Sequence, residues 1–394
     1  MNILYVCGDD PRLSNFGSQQ RTHFLWESLR RFADVYTVVR GEKKCDECVL
    51  DEANHVARIR FLPDLPIIRF LDRVFTKFFK PASFPFRTLG FAERRIPYAW
   101  RGIKFDVVVT RYIYCAAQTG FWHLAPCVID IDDAPLQSFD TVMKARIPWG
   151  LRAVRRWMVA AYQNFIIGKC DAVWIPDRSQ VDSFCKIAPC FYLPNIANPP
   201  SEGYSSVKNI SLSSRQLMSV GILDYAPNVK GIQWFLDTIW PAVHLKHPEL
   251  TYCICGGHLD QHVATKWQQI PGVVVAGYVS DIDKVYEDSI GVIAPVLTGA
   301  GTCIKVMEAC LRGRKVFATP FAARGYNKTE IMNMGIELFM SIDEFEMSLQ
   351  RWLCTRQDKQ KVEQERIMDM AGSTMSLEGF SQIVEMTIRK CSNA

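Results

Sequence analysis

No run of 18 or more apolar residues occurs in the chain, so no segment has the length and composition of a membrane-spanning helix. The amino-terminal "MNILYVCGDD" has no basic n-region and no small-residue cleavage site; it reads as a first β-strand, not a signal peptide. Three motifs are also missing. Neither half carries G-x-G-x-x-G in its first strand–turn–helix, which disfavours a nicotinamide dehydrogenase. There is no P-loop and no G-x-S-x-G, so kinases and hydrolases of those kinds lack their motif. Cysteine is plentiful, at 14 residues, but Cys7, Cys127, Cys253, Cys255 and Cys310 sit inside apolar runs, where a free thiol packs as a small hydrophobe. Without an export signal, a reducing cytoplasmic setting is expected. Cys45 and Cys48 form a C-x-x-C with His55 nearby, but no second close pair completes a zinc site, and no metal is expected there.

Charge of one sign is not in large excess overall: the formal net charge is +5. Residues 1–200 nevertheless hold 27 Lys/Arg against 20 Asp/Glu, and residues 201–394 hold 19 against 21. Most of the surplus lies in His55–Lys104, with 11 basic and 3 acidic residues around "FLPDLPIIRFLDRVFTKFFKPASFPF". Cations mixed with Phe, Leu and Ile suit either an anionic membrane surface, such as the inner face of the membrane, or a solvated helix face with its other side in a core. A nucleic-acid partner is not expected.

At 394 residues the chain is long enough for about two to three domains. Short Val/Ile-rich runs at 2–8, 34–40, 105–111, 127–133 and 170–176 read as strands, with helical spacing at 18–33 and 149–169. Residues 191–216 are rich in Pro, Asn and Ser and read as a linker. The alternation then restarts: strands at 217–223, 250–257, 273–279, 290–296 and 315–320, helices at 230–247 and 303–313, and a last helix at 376–391. The pattern predicts an α/β protein with two parallel sheets, helices on both faces of each, and a ligand site at the strands' carboxyl ends, by default in the cleft between domains.

The stretch "LTGAGTCIKVMEACLRGRKVFATPFAARG" places Gly299, Ala300, Gly301 and Thr302 before a helix. Helix N-termini carry unpaired N–H groups and a positive dipole, and small residues let an anion approach that backbone, so the stretch suits phosphate; an ordinary glycine loop is the plainer alternative. Glu308 lies inside the helix among Val306, Met307, Ala309 and Cys310. It suits sugar hydroxyls, or is a surface charge.

In order along the chain come "YLPNIANPP", "MSVGILDYAPNVKGIQWFLDTIWPAVHLKHPEL", "CICGGH", "VVVAGYVSDIDKVYEDSIGVIAPV" and "GAGTCIKVMEACLRGRKVFATPFAARGY". This series resembles the nucleotide-sugar domain of the retaining glycosyltransferases of family 4, which have the two-Rossmann GT-B fold. "NFGSQQRTHFLWESL" is similar to the family's amino-terminal glycine loop and first helix. The resemblance implies an N-terminal acceptor-side domain over 1–195, a nucleotide-sugar domain over 196–370, and a terminal helix over 371–394 packing back towards the first. It implies donor contacts from Gly17, Gly221, Asn228, Lys230, Tyr278, Val279, the Gly299–Thr302 loop and Glu308, the last on the ribose. Domain closure would exclude water. No bound cofactor or metal is implied; the nucleoside-diphosphate sugar is a co-substrate.

Three departures from the family stand out. Its first paired glutamate falls at Ala300. Its basic residue after the strand glycine is Ile222, which leaves Lys230 as the nearest cation and Lys305 and Arg324 as substitutes. Its histidine–aspartate pair falls at Asp132 and Asp133 in "VIDIDD". An Asp-x-Asp metal site at Asp130 and Asp132 belongs to a different, single-domain glycosyltransferase fold and is not favoured. Asp132, Asp133, His123 and His23 remain the acceptor-side candidates. The expected function is metal-independent, hexosyltransferase-like transfer, with retention, to a glycan, lipid-linked or other acceptor, as in polysaccharide biosynthesis. A nucleotide-sugar epimerase and a non-catalytic nucleotide-sugar-binding subunit are the alternatives.

Overall fold

The computed structural model describes residues 1–15, 17–40, 47–59, 74, 96–143, 147–202, 204, 215–299, 301–355, 357–374 and 376–393. Ala300, Cys45 and most of the basic aromatic segment expected to meet a membrane lie outside them. The chain divides into two compact units. The first holds Met1–Asn195, Gly299–Gly301 and Leu377–Ala394; the second holds Ile196–Thr298 and Thr302–Ser376.

The first unit is built on an eight-stranded sheet. Its strands are β1 (Asn2–Cys7), β2 (Asp34–Arg40), β3 (Glu47–Asp51), β4 (Val56–Ile59), β5 (Val107–Arg111), β6 (Cys127–Asp130), β7 (Ala172–Ile175) and β8 (Cys190–Tyr192), in the order β3-β4-β2-β1-β5-β6-β7-β8. The side chains of β5, β6 and β7 are buried on both faces, which is why they read as unbroken apolar runs. The pairing is parallel except at the edge, where β3 runs antiparallel to β4. The two are joined by a tight turn closed by the His55 N–H donating to Glu52 O at 3.2 Å. Such a turn leaves no room for a crossover, so the pair must be antiparallel. The helix Gly17–Arg30 packs against the terminal helix Leu377–Ser392, with Ser28 and Ser381 hydroxyls 2.8 Å apart. Trp174 of β7 donates through Nε1 to Thr387 Oγ1 on the same terminal helix at 3.1 Å.

The second unit has a six-stranded parallel sheet of β9 (Gln216–Val220), β10 (Thr251–Cys255), β11 (Val273–Gly277), β12 (Ser289–Ala294), β13 (Lys315–Ala318) and β14 (Ile336–Leu338), in the order β11-β10-β9-β12-β13-β14. Its core gathers Phe235, Trp240, Tyr252, Trp267, Phe317, Phe345 and Trp352. The single helix expected over 230–247 is two helices, Ala226–Thr238 and Trp240–Lys246. Pro241 sits in the first turn of the second, where its missing N–H costs nothing but a continuous helix cannot pass.

The first of these helices comes unusually close to the sheet. A Cβ at Gly231 would stand 2.2 Å from Pro295 O, just past the end of β12. Gly231→Ala is expected to destabilise the protein by about 1–3 kcal/mol through overpacking, read as a lower urea midpoint at unchanged slope.

Candidate functional site

The carboxyl edge of the second sheet is bare backbone. Gly221 and Gly256 directly follow β9 and β10, and β11 ends at Gly277. The Gly221 N–H donates to Cys255 O at 3.1 Å, and the Gly256 N–H donates to Gly277 O at 2.7 Å. A Cβ on Gly256 would lie 1.8 Å from Gly221 O, so only glycine lets these strand ends draw together.

Asn228, near the start of helix Ala226–Thr238, ties this edge to the next element. Its Nδ2 donates to Ile222 O at 2.9 Å, and its Oδ1 accepts from Lys305 Nζ at 2.9 Å. A Cβ on Gly221 would stand 2.9 Å from both Asn228 Nδ2 and Lys305 Nζ. Lys305 lies in the first turn of helix Ile304–Leu311, whose cap residue Cys303 makes no side-chain capping bond. The helix therefore presents uncapped amides and its positive end beside the lysine. Burial pushes the Lys305 ammonium below its ordinary pKa, and the nearby Cys303 and Glu308 only partly oppose that shift. Its described hydrogen-bond partner is an amide, not a carboxylate.

Glu308 is half-buried one turn further along the same helix. Burial is the main cause of the raised pKa of Tyr286, and the charge on Glu308 adds to it. Tyr278, directly after Gly277, is exposed, and Val279 is half-buried. The carboxyl edge thus offers, in one unit, the uncapped start of helix Ile304–Leu311 and a cation suited to an anion, a carboxylate suited to hydroxyls, and an open aromatic ring.

The other expected positions fall elsewhere. Lys230 points to solvent from its helix, so the cation at the Gly221 turn is Lys305. Gly299 and Gly301 group with the first unit. Gly299 O accepts from Thr141 Oγ1 at 2.7 Å, and a Cβ on Gly301 would stand 2.8 Å from Asp133 Oδ1 and 3.1 Å from Asp132 Oδ1. The atoms nearest that position are oxygens of Asp132 and Asp133. Thr302 packs against Gly325. Arg324 donates to Phe321 O at 2.7 Å and covers the Phe321 ring. Gly17 opens the first helix.

The acidic cluster after β6 is a buried ionic network. Asp130 accepts from Arg21 and from Arg111, the latter at 2.6 Å, and all three side chains are fully buried. Burial by itself raises the Asp130 pKa, but the two guanidiniums outweigh it and hold the carboxyl below its ordinary value. Arg21 also donates to Leu193 O, Pro194 O and Asn195 Oδ1 at 3.2, 3.0 and 2.7 Å. Arg111 reaches Asp132 at 3.1 Å, and Asn195 Nδ2 donates to Asp132 at 3.2 Å. Asp130 therefore gives its carboxylate to arginine. Asp132, expected as an acceptor-side group, is held in the same network. His123 accepts from Trp122 Nε1 in a short turn that leads into the amino end of β6. That is the opposite edge from the strand ends where ligands bind in such sheets. His23 meets Pro11 O at 2.8 Å and faces Glu27, a local tie within its own helix and loop.

Residues 214–339 match the family described as "Glycosyl transferases group 1". That span contains the Gly221 turn, Asn228, Lys305 and Glu308. No curated protein matches the chain at the level of sequence. Among solved structures, the fold is similar to sucrose-phosphate synthase from Thermosynechococcus elongatus, with a TM-score of 0.70 at 14% identity over 99% of each chain. It is similar to the E. coli trehalose-6-phosphate protein bound with UDP-2-fluoro glucose, with a TM-score of 0.64 at 11% identity, covering 98% of this chain and 99% of the other. It is also similar to Anabaena HepE in complex with UDP, with a TM-score of 0.63 at 12% identity, covering 99% of this chain and 100% of the other. The two α/β units are those of the GT-B glycosyltransferase fold. Sequence reasoning missed Asn228's double hydrogen bond and the Arg21–Asp130–Arg111 network. Each joins residues far apart in the chain, and no local spacing signals either.

Proposed function

We propose that the protein is a glycosyltransferase that takes its sugar from a nucleoside-diphosphate donor. The observation that carries this reading is the placement of Gly221, Asn228, Lys305 and the uncapped start of helix Ile304–Leu311 at one sheet edge, inside the stretch with the glycosyltransferase match. The diphosphate meets the Gly221 turn, the first amides of that helix and the Lys305 ammonium. Glu308 takes the ribose hydroxyls, and Tyr278 and Val279 border the base. As the sugar leaves, negative charge grows on the diphosphate, and these preorganised donors stabilise it more than they stabilise the ground state. Transfer proceeds with retention, without a bound metal, to a glycan or lipid-linked acceptor.

UDP is the first nucleotide to test, because UDP is bound in the Anabaena structure of the same fold. A thermal-shift series with UDP and UDP-sugars is expected to raise stability by about 2.7 kcal/mol at a hundred times the dissociation constant. No shift with any nucleoside diphosphate or nucleotide sugar would sink the reading. Glu308→Gln keeps the shape but removes the charge, and is expected to weaken UDP binding about tenfold by calorimetry. Unchanged affinity would remove Glu308 from the ribose. Ala300 favours a second reading, a non-catalytic sugar-nucleotide-binding subunit. Binding without sugar release over long incubation with acceptor would support it.

A further inference from the structure

Two thiols meet at the edge of the first sheet. Helix Arg178–Phe184 ends at Cys185, and β8 begins at Cys190. The chain between them, residues 186–189, is folded back by two bonds to one carbonyl. The N–H groups of Ile187 and Ala188 donate to Phe184 O at 2.8 and 3.1 Å. Phe184 and Ala188 are buried, and Ile187 and Cys190 pack against the same core cluster, so the turn is anchored on its inner side. The Cys185 N–H donates to Val181 O, which fixes the helix end. Cys185 Sγ consequently reaches the start of β8 and donates to Cys190 O at 3.7 Å.

Accessibility separates this pair from the other thiols. Among the described cysteines only Cys185 and Cys354 are exposed, and of these two Cys185 alone has a described contact with a second cysteine. Cys253 and Cys255 hold their sulfurs 3.6 Å apart, but inside β10 they are only 4% and 1% exposed. A reagent in solution meets Cys185 and not that buried pair. Cys190 is half-buried. Burial pushes its thiol up to about 12, and the neighbouring Cys185 adds to the shift through its charge and a hydrogen bond. An exposed thiol backed by a half-buried, protonated one is the arrangement of an entry cysteine and a resolving cysteine.

We propose that Cys185 and Cys190 form a reversible disulfide site whose co-reactant is a small-molecule disulfide such as oxidised glutathione. Cys185 gives its proton to water, and its thiolate attacks one sulfur of the external disulfide. The external S–S bond breaks, a Cys185–glutathione bond forms, and one glutathione leaves as thiolate. Cys190 then loses its proton and attacks Cys185 Sγ, which forms the protein disulfide and releases the second glutathione. The two cysteines lose two electrons, and the two glutathione halves gain them. In the mixed disulfide Cys185 carries neither proton nor charge, so its share of the upward shift on Cys190 is gone when the second step begins. The site lies in the first unit and does not depend on the donor chemistry.

The test is incubation of the native protein with excess oxidised glutathione, quenching with iodoacetamide, and tryptic peptide mapping. Lys186 stands between the two cysteines, so trypsin separates them, and the disulfide appears as peptide 179–186 linked to peptide 187–208. Cys45 and Cys48 stay together in one peptide, 45–58, and are not confused with it. Linked peptides from monomeric protein are expected, and dithiothreitol should abolish the link. Cys190→Ser is expected to stop at a glutathione adduct on Cys185. Cys185→Ser is expected to react at least about tenfold more slowly, because the thiol that remains is half-buried and protonated. Glutathione adducts on both cysteines without a linked peptide would overturn the proposal. Equal reaction rates in the two single variants would do the same, as would a disulfide that joins Cys185 to a second chain. The mapping uses no nucleotide, so its failure leaves the donor reading untouched.

Discussion

Lys305→Met is expected to weaken UDP binding by about 10- to 100-fold, the loss that follows when a hydrogen bond to a charged group is removed at a partly desolvated site. The size of the effect follows from where the ammonium sits. It is fixed by Asn228 Oδ1, stands over the Gly221 backbone, and shares its helix turn with uncapped amides. A diphosphate there would gain a charge-assisted bond and the helix dipole together. Lys230→Met supplies the contrast: that side chain is exposed, and its charge is screened by water, so a change of no more than about twofold is expected. Titration calorimetry on the two variants decides between the two lysines. Equal losses would return Lys230 to the site.

The same lysine gives the binding a pH dependence of definite sign. Burial lowers its pKa from the ordinary 10.5 in the free protein. An anion favours the charged form, so the ligand raises that pKa and binding takes up a proton as pH approaches the free value. Affinity for UDP is therefore expected to fall as pH rises through the alkaline range, beginning below 10.5. In Lys305→Arg the fall should vanish, because guanidinium keeps its charge there. A flat alkaline profile in the parent protein would remove Lys305 from contact with the diphosphate.

Much of the scaffold was legible in the chain, for identifiable reasons. Strands such as β5 and β12 are buried on both faces, and their Val/Ile runs announce themselves. The strands that went unread, β3, β4, β8 and β14, are short and lie at the ends of their sheets' strand orders. β8 and β14 have only three residues each, and their side chains are mostly half-exposed, so no apolar run marks them. Helix Gln357–Thr374 was missed because its sequence is largely polar, with Ile367 and Ala371 among its few buried apolar residues. At the site, "GTCIKVMEA" pointed to a phosphate-binding helix start and to Lys305 and Glu308 as candidates. What sets Lys305 apart from Lys230 is its bond to Asn228, which spans 77 positions. The glycine loop shows the converse. Its composition suggests an anion cradle, yet the atoms facing Gly301 are the carboxylates of Asp132 and Asp133, from a strand end far away in sequence.

Asp130→Ala is expected to cost about 3–5 kcal/mol of stability, the largest effect of any single substitution considered for the first unit. The carboxylate lies between two guanidiniums that are wholly removed from water, and taking it away leaves two buried cations facing one another across a void. Asp130→Asn is expected to lose nearly as much, because an amide supplies one acceptor oxygen and no charge. Replacing Arg21, Arg111 and Asp130 together with apolar residues should not restore stability, as it can for an isolated buried ion pair. Arg21 also satisfies the carbonyls of Leu193 and Pro194 and the side-chain oxygen of Asn195, so an apolar replacement orphans three buried acceptors. The pH response follows from the depressed pKa of Asp130. Its stabilising contribution is complete above the unfolded carboxyl value of about 3.9 and is lost as pH falls below that, through the lower folded value. Acid unfolding of the parent protein should therefore steepen below about pH 4. In Asp130→Asn, already weaker at neutral pH, that component should be missing. Chemical denaturation of both proteins between pH 3 and 7 measures the difference. Parallel stability curves would mean that Asp130 is not the carboxylate that holds the network together.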